Sequence, residues 1–572
     1  MRILTAAIIA IVLASAPAQG AVQQTLLRVQ EGSAALLRGN FAKALAHYNE
    51  ALNSESLPES RRASVFNDRG VAKWRLARRK EAIEDFNKAV ELYPEYAAAY
   101  NNRGNVLVEL GHSEVAIEDF DRAIMLSPNY AAAFNNRANA YLSAGRYEEA
   151  VRDFRKAISL IPTNPVPFNG RGKAQSALNR NYAALRDFSR AIKLNAKYIT
   201  AYANRAEAYS EIKNHSKALS DFAVAADAQP ENLSLHLARA KSFAVRKVYR
   251  KSFTSLSKAI EVDPENAEIF TVRAEIYTVL KDYQRAMADV SHALKLDPDS
   301  ADAHAIRAVV HNKLQDPEAA LADANKAVEL DPNNMKGYEI RALLHETSGN
   351  AESAEKDYRR LLDLDDQSKK AQDGIQRLTG AKAEINREQV GELVDNWIIQ
   401  KLPNGNYVAL NDKYKKLRVQ LEMYGSEAPA ILEWSRLKNR FNGIGLLRYF
   451  AGDSKAYDGN RMEYIAIVDL YSKKVAAIEP FKWGDKPADW SWKDGAVAVT
   501  DPDGTVNSVR LRRRRPVVKP ERPYVTGWWW GQSANDGWVD RPPRAAWNNR
   551  SRPRKKNRRR RKTRSLFNFL FD

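Results

Sequence analysis

Seven prolines stand on a single lattice. Pro94, Pro128, Pro162, Pro230, Pro264, Pro298 and Pro332 are separated by 34 residues or a multiple of 34, with Ala196 and Asp366 on two further points. Other residues keep the same step. Small ones recur at Gly70, Gly104, Ala138, Gly172, Ala206, Ala240, Ala274, Ala308 and Ala342. Alanine recurs from Ala82 to Ala354, with Ser252 the exception, and rings stand at Phe86, Phe120, Phe154, Phe188, Phe222 and Tyr358. A period of this length predicts two antiparallel helices per unit. Small residues let the helix axes approach, the ring fills the space beside them, and proline ends the second helix. One unit cannot bury its own apolar stripe, so stacking of units makes the core.

This spacing resembles the tetratricopeptide repeat. The likeness covers Leu26 to Ser368, about ten units in one register. The first unit, with Gly32, Ala44, Tyr48 and Ala51, precedes a four-residue insertion around "SLPES", and "KKAQDGIQRLTG" reads as a closing helix. The resemblance implies an all-α superhelical solenoid whose first helices line a concave groove that takes protein or peptide segments.

Two features lie on top of the basic pattern. Arginine precedes the small residue in nine consecutive units, and sixteen residues later comes an aspartate in all but one. The pairs Arg69 and Asp85, Arg103 and Asp119, Arg137 and Asp153, Arg171 and Asp187, and Arg205 and Asp221 are expected to be structural ion pairs, pinning two helices of one unit or one unit to the next. Ser255, after Arg239, breaks the series.

The second feature is asparagine in the middle of first helices. Asn101 and Asn105, like Asn135 and Asn139, are four apart and share a helix face. Asn67 and Asn169 extend the row by 34 in each direction. An amide both donates and accepts. The row therefore suits the backbone of an extended peptide, as the family's asparagine ladders do, and equally suits hydrogen bonds between neighbouring helices. As a candidate groove it comprises Asn67, Asn101, Asn105, Asn135, Asn139 and Asn169.

The ends differ from the array. Met1-Arg2, the apolar run Ile3 to Ala14 and Ala16-Pro17-Ala18 read as a secretory signal over 1–20, with an uncleaved anchor as the alternative. An exported, periplasmic or envelope-associated protein is expected. There is no cysteine, which excludes disulfides, thiol nucleophiles and thiolate metal sites. The net charge of +20 is concentrated in the tail: Arg510 to Asp572 alone carries +16.

The division is 1–20 signal, 21–380 array with closing helix, 381–512 β-rich module and 513–572 basic tail. In the module, "REQVGELVDNWIIQKL" reads as one more amphipathic helix. "NYVAL", "IGLLRYF", "EYIAIVDL", "KVAAIEPF", "DWSW", "AVAVT" and "NSVRLR" read as antiparallel strands between turn signals. All eight histidines lie in the array, so histidine chemistry is excluded from the module. Its carboxylates include Glu463, Asp469, Glu479, Asp485 and Asp489. The tail interleaves arginine, proline and tryptophan ("RRRRPVVKPERPY", "GWWWGQSANDGWVDRPPRAAWNN"), a composition that predicts disorder. It suits an anionic envelope polymer or lipid surface, with nucleic acid as a lesser alternative.

The resulting expectation is a non-catalytic scaffold or adaptor without cofactor, metal or small-molecule substrate. Two other classes remain open: an envelope glycan-handling enzyme with two module carboxylates facing one pocket, and a cytoplasmic nucleic-acid-associated repeat protein.

Overall fold

The computed structural model describes residues 2–380, 388–413, 417–436, 444–454, 459–470, 472–493, 496–502, 504 and 506–510, with side chains from 20 onward except at 436, 492, 493, 496 and 510. The signal reading falls on the start of the first helix, before that point. The basic tail, 513–572, lies outside the described residues.

The array has first helices α1 (Arg2–Leu37), α3 (Glu59–Arg75), α5 (Ala97–Glu109), α7 (Ala131–Ser143), α9 (Pro165–Ala177), α11 (Ile199–Glu211), α13 (Leu233–Val245), α15 (Ala267–Val279), α17 (Ala301–Lys313) and α19 (Met335–Thr347). Each is followed by its second helix: α2 (Phe41–Asn53), α4 (Arg79–Leu92), α6 (Ser113–Leu126), α8 (Tyr147–Leu160), α10 (Asn181–Leu194), α12 (His215–Ala228), α14 (Tyr249–Val262), α16 (Tyr283–Leu296), α18 (Pro317–Leu330) and α20 (Ala351–Leu364). The closing helix α21 (Lys369–Thr379) ends at Gly380, whose φ of 70° is the left-handed cap glycine favours. Each helix packs on the next, and first helices also touch first helices of adjacent units.

The lattice residues form the core. Phe86, Phe120, Phe154, Phe188 and Phe222 are fully or almost fully buried. The small residue is required by the ring: a Cβ on Gly104 would stand 2.7 Å from Cε1 of Phe120.

After Gly380 the described residues form three antiparallel meanders. The first joins β1 (Glu388–Val394), β2 (Trp397–Lys401), β3 (Tyr407–Asn411) and β4 (Arg418–Gln420). The second joins β5 (Ala430–Arg436), β6 (Ile444–Ser454), β7 (Asn460–Asp469), β8 (Lys474–Trp483) and β9 (Lys486–Pro487). The third joins β10 (Asp489–Lys493), β11 (Ala496–Thr500) and β12 (Val506–Arg510).

One expected element is wrong. The segment expected to be a further helix is the β1–β2 hairpin. Its turn residues Asp395 and Asn396 have φ of 50° and 66°, the double left-handed conformation that suits a two-residue hairpin. A bulge at Gly391, with φ of 74°, lets an irregular apolar pattern imitate a helical one. Strands β4 and β5 also lacked a sequence signal strong enough to be expected.

Candidate functional site

The asparagine row divides into two sets. Asn102 Nδ2 donates to Asn67 Oδ1, Asn136 Nδ2 to Asn101 Oδ1, and Asn204 Nδ2 to Asn169 Oδ1, each at 2.9 Å. Each bond joins a first helix to the first helix one unit back. Asn67, Asn101 and Asn169 are buried, so these three expected groove residues are committed within the array. The sequence reading assigned no role to Asn102, Asn136 or Asn204. The doublets in "AYNNRGN" and "AFNNRAN" held the signal, because a step of 35 pairs the second amide of one unit with the first of the unit before.

Asn135 is the exception that explains the rule. Its partner position, 35 residues on, is Gly170, and its Oδ1 is buried without a hydrogen bond. Gly170 faces the ring of Phe154, with which any Cβ would collide. The amide ladder therefore breaks where core packing needs the space.

Asn105 and Asn139 belong to the second set. They lie one helical turn beyond Asn101 and Asn135 on the same face. Asn105 is half-buried and Asn139 exposed, and neither makes a side-chain hydrogen bond to the described residues.

The arginines run along the other side of the first helices. Arg103 Nε and Nη2 grip Asp119 at 2.8 and 2.5 Å. The equivalent two-point contacts are 2.8 and 2.7 Å in Arg69–Asp85, and 2.6 and 2.8 Å in Arg137–Asp153. They are 2.8 and 2.8 Å in Arg171–Asp187, and 2.7 and 2.9 Å in Arg205–Asp221. The free Nη1 reaches sixteen residues back to the preceding second helix, to Asn87 from Arg103 at 2.8 Å and to Asp121 from Arg137 at 2.5 Å. One arginine thus holds its own unit together and joins it to the previous one. The hydrogen bonds to Asp119 raise the pKa of Arg103, more than burial lowers it. Arg239, opposite Ser255, leaves its Nε buried without a partner.

Three tetratricopeptide repeat family models match residues 131–164, 267–300, and 288–334 with 313–369, and a TPR repeat model matches 79–111 and 104–145. This is a tetratricopeptide repeat protein. Among solved structures, yeast Tom70 is 15% identical over 63% of this chain and 95% of its own, at a TM-score of 0.33. YrrB, a TPR protein with an unusual peptide-binding site, is 26% identical over 33% of this chain and 98% of its own, at 0.29. Pseudomonas aeruginosa PilF is 18% identical over 38% and 99%, at 0.35. No curated protein matches the chain. A tetratricopeptide array is a protein-interaction scaffold.

In this tetratricopeptide protein the β module is docked on the array. One buried apolar cluster runs from Ile117, Phe120, Tyr141 and Val151 into Trp397, Tyr449 and Ile478 of the module. The polar contacts centre on the start of α10. Arg180 Nε donates to the Met423 carbonyl at 2.6 Å, its guanidinium lies 4.1 Å from the Tyr424 ring centroid, and it also pairs with Glu148. The Tyr182 backbone N–H donates to Glu422 Oε1 at 2.7 Å. Arg186 donates to the Ile478 carbonyl at 2.5 Å and faces Glu479 at 3.5 Å and Asp501 at 3.7 Å. At the far end, Asp366, a lattice point without proline, accepts from Arg418 Nη1 at 2.6 Å.

Three of the module's candidate carboxylates have partners, while Asp485 is exposed, with Lys482 3.7 Å away. Glu463 pairs with Arg448 at 2.7 Å, Asp469 accepts from Ser472 at 2.8 Å, and Glu479 accepts from Asn507 at 2.8 Å. A cavity of about 680 Å³ lies between the α20 end of the array and the β2–β3 turn, lined by Arg360, Asp363, Glu388 and Lys401 among others. Glu388 is the one module carboxylate among its lining residues. Among the described residues no group of three histidine or carboxylate side chains is placed to hold a metal ion.

Proposed function

We propose that this protein is an exported, non-catalytic adaptor that binds an extended segment of a partner protein along the first-helix face of its array. The observation that carries this reading is the contrast within the asparagine row. The buried amides hold successive first helices in register. Asn105 and Asn139, on the same face, keep their donors and acceptors for something else. Amides spaced by one unit can pair with peptide backbone whatever its side chains, which suits a partner read by extension rather than by sequence.

The apolar N-terminal run with its Ala16-Pro17-Ala18 site supports export, and the +16 of the last 63 residues supports attachment to an anionic envelope polymer or lipid surface. A non-catalytic role is favoured by the pairing of Glu463 with Arg448 and the burial of Glu479 beneath the array.

Selection from a library of extended peptides, followed by affinity measurement on the full chain, tests the groove. Binders are expected to lose at least about tenfold in affinity to Asn105→Ala/Asn139→Ala, from two lost amide hydrogen bonds, with the melting temperature unchanged. Equal affinity for both proteins would remove the asparagines from recognition.

A further inference from the structure

The interface between array and module buries more negative than positive charge. Arg186 on α10 is enclosed by Glu479 of β8, Asp501 after β11 and, within electrostatic range, Glu422 after β4. All four side chains are at least nine-tenths buried. The nearby Arg180 is matched by Glu148 of α8 and so does not cover the excess. Among the described residues the other groups facing the cluster are neutral: Tyr182 of α10, Tyr424 beside Glu422, Tyr449 of β6, Tyr464 of β7 and Asn507 of β12. The Oε2 atom of Glu422 is buried without a hydrogen-bond donor, and that of Glu479 faces only Arg186 Nη1, at 3.5 Å. One guanidinium does not compensate both buried glutamates when the two are ionised, and an uncompensated buried charge is strongly disfavoured.

We propose that this cluster is an acid-strengthened latch: protons held by Glu422 and Glu479 keep the β module docked on α10, and their loss loosens it. Two buried glutamates beside one guanidinium favour protons there. Burial, only partly opposed by Arg186, pushes each of the two glutamates up to about 7 from an ordinary value of 4.5. The docked state therefore binds protons that the undocked state releases. Its stability is greatest below 4.5, falls as pH rises through the window from 4.5 to about 7, and then levels off. The latch covers the α10 side of the fifth unit, so its opening changes what the array presents to a partner. The proposal does not depend on the peptide-groove reading, and its test uses no ligand.

The chain lacks cysteine, so two introduced thiols label specifically. Lys197→Cys on the array and Lys474→Cys on the module, both exposed, would carry a fluorescence donor and acceptor in the full chain. The docked, high-transfer population should fall relative to the undocked one by at least about tenfold between pH 5 and pH 8, the change that one linked proton produces per pH unit. In Glu422→Gln/Glu479→Gln the ratio should be high and flat. A flat wild-type titration overturns the latch, as does a wild-type response that survives in the double variant. If the double variant loses its helical circular dichroism, the two single glutamine variants replace it. Each should make the response shallower, and no change in either overturns the proposal.

Discussion

Arg239 shows what the arginine–aspartate pairs contribute. In the seventh unit the regular alanine and aspartate of the second helix are both replaced by serine, at Ser252 and Ser255. Ser252 Oγ donates to the Ala240 carbonyl at 2.7 Å, Ser255 donates to Lys251, and the arginine is left with an unpartnered Nε. A buried donor without a partner costs about 1–3 kcal/mol. Ser255→Asp is therefore expected to supply the missing acceptor, stabilise the array by about 1 kcal/mol and raise its urea midpoint. A lower midpoint would mean that packing around Leu256, fully buried next to it, outweighs the pair. The same reasoning explains why the asparagines could not be sorted from composition: an amide ligand and an amide strut are one residue type, distinguished by a partner in the next helix.

At the scale of the helix pair, core and ladder compete for the same space. Ala138 stands where neighbouring units have glycine against their ring, and Phe154 lies against Gly170 of the following unit. Gly170→Ala should cost about 1–3 kcal/mol by overpacking, and combining it with Phe154→Leu should recover part of that loss. Thermal unfolding of the three variants checks this. Equal losses from Gly170→Ala with and without Phe154→Leu would show that the ring is not the obstacle. The helices themselves were legible because their signal repeats every 34 residues and each unit can be checked against its neighbours. The β1–β2 hairpin had no such redundancy. Its turn pair Asp395-Asn396 was the decisive local cue, and the apolar spacing around it pointed the other way.

At the scale of the whole molecule, the array and the module meet at a shared apolar cluster and at the charged cluster around Arg186. Arg186→Met should leave its carboxylates without their counter-charge and weaken docking by about 3–5 kcal/mol at neutral pH. Hydrogen exchange should then rise in α10 and β8 and stay unchanged in α13 to α16. Unchanged exchange in α10 would place the docking energy in the apolar cluster instead. The sequence by itself determined the solenoid, because in a stack of units each residue meets partners at fixed short separations and the code repeats. It also marked the arginines, the aspartates and the asparagines as special. Only the tertiary structure decided which asparagines are spoken for, since that depends on one residue 35 positions away. It alone brought Arg180, Tyr182 and Arg186 against residues some 240 to 320 positions later in the chain. That contact is made once, between surfaces with no shared period. No repetition along the chain records it.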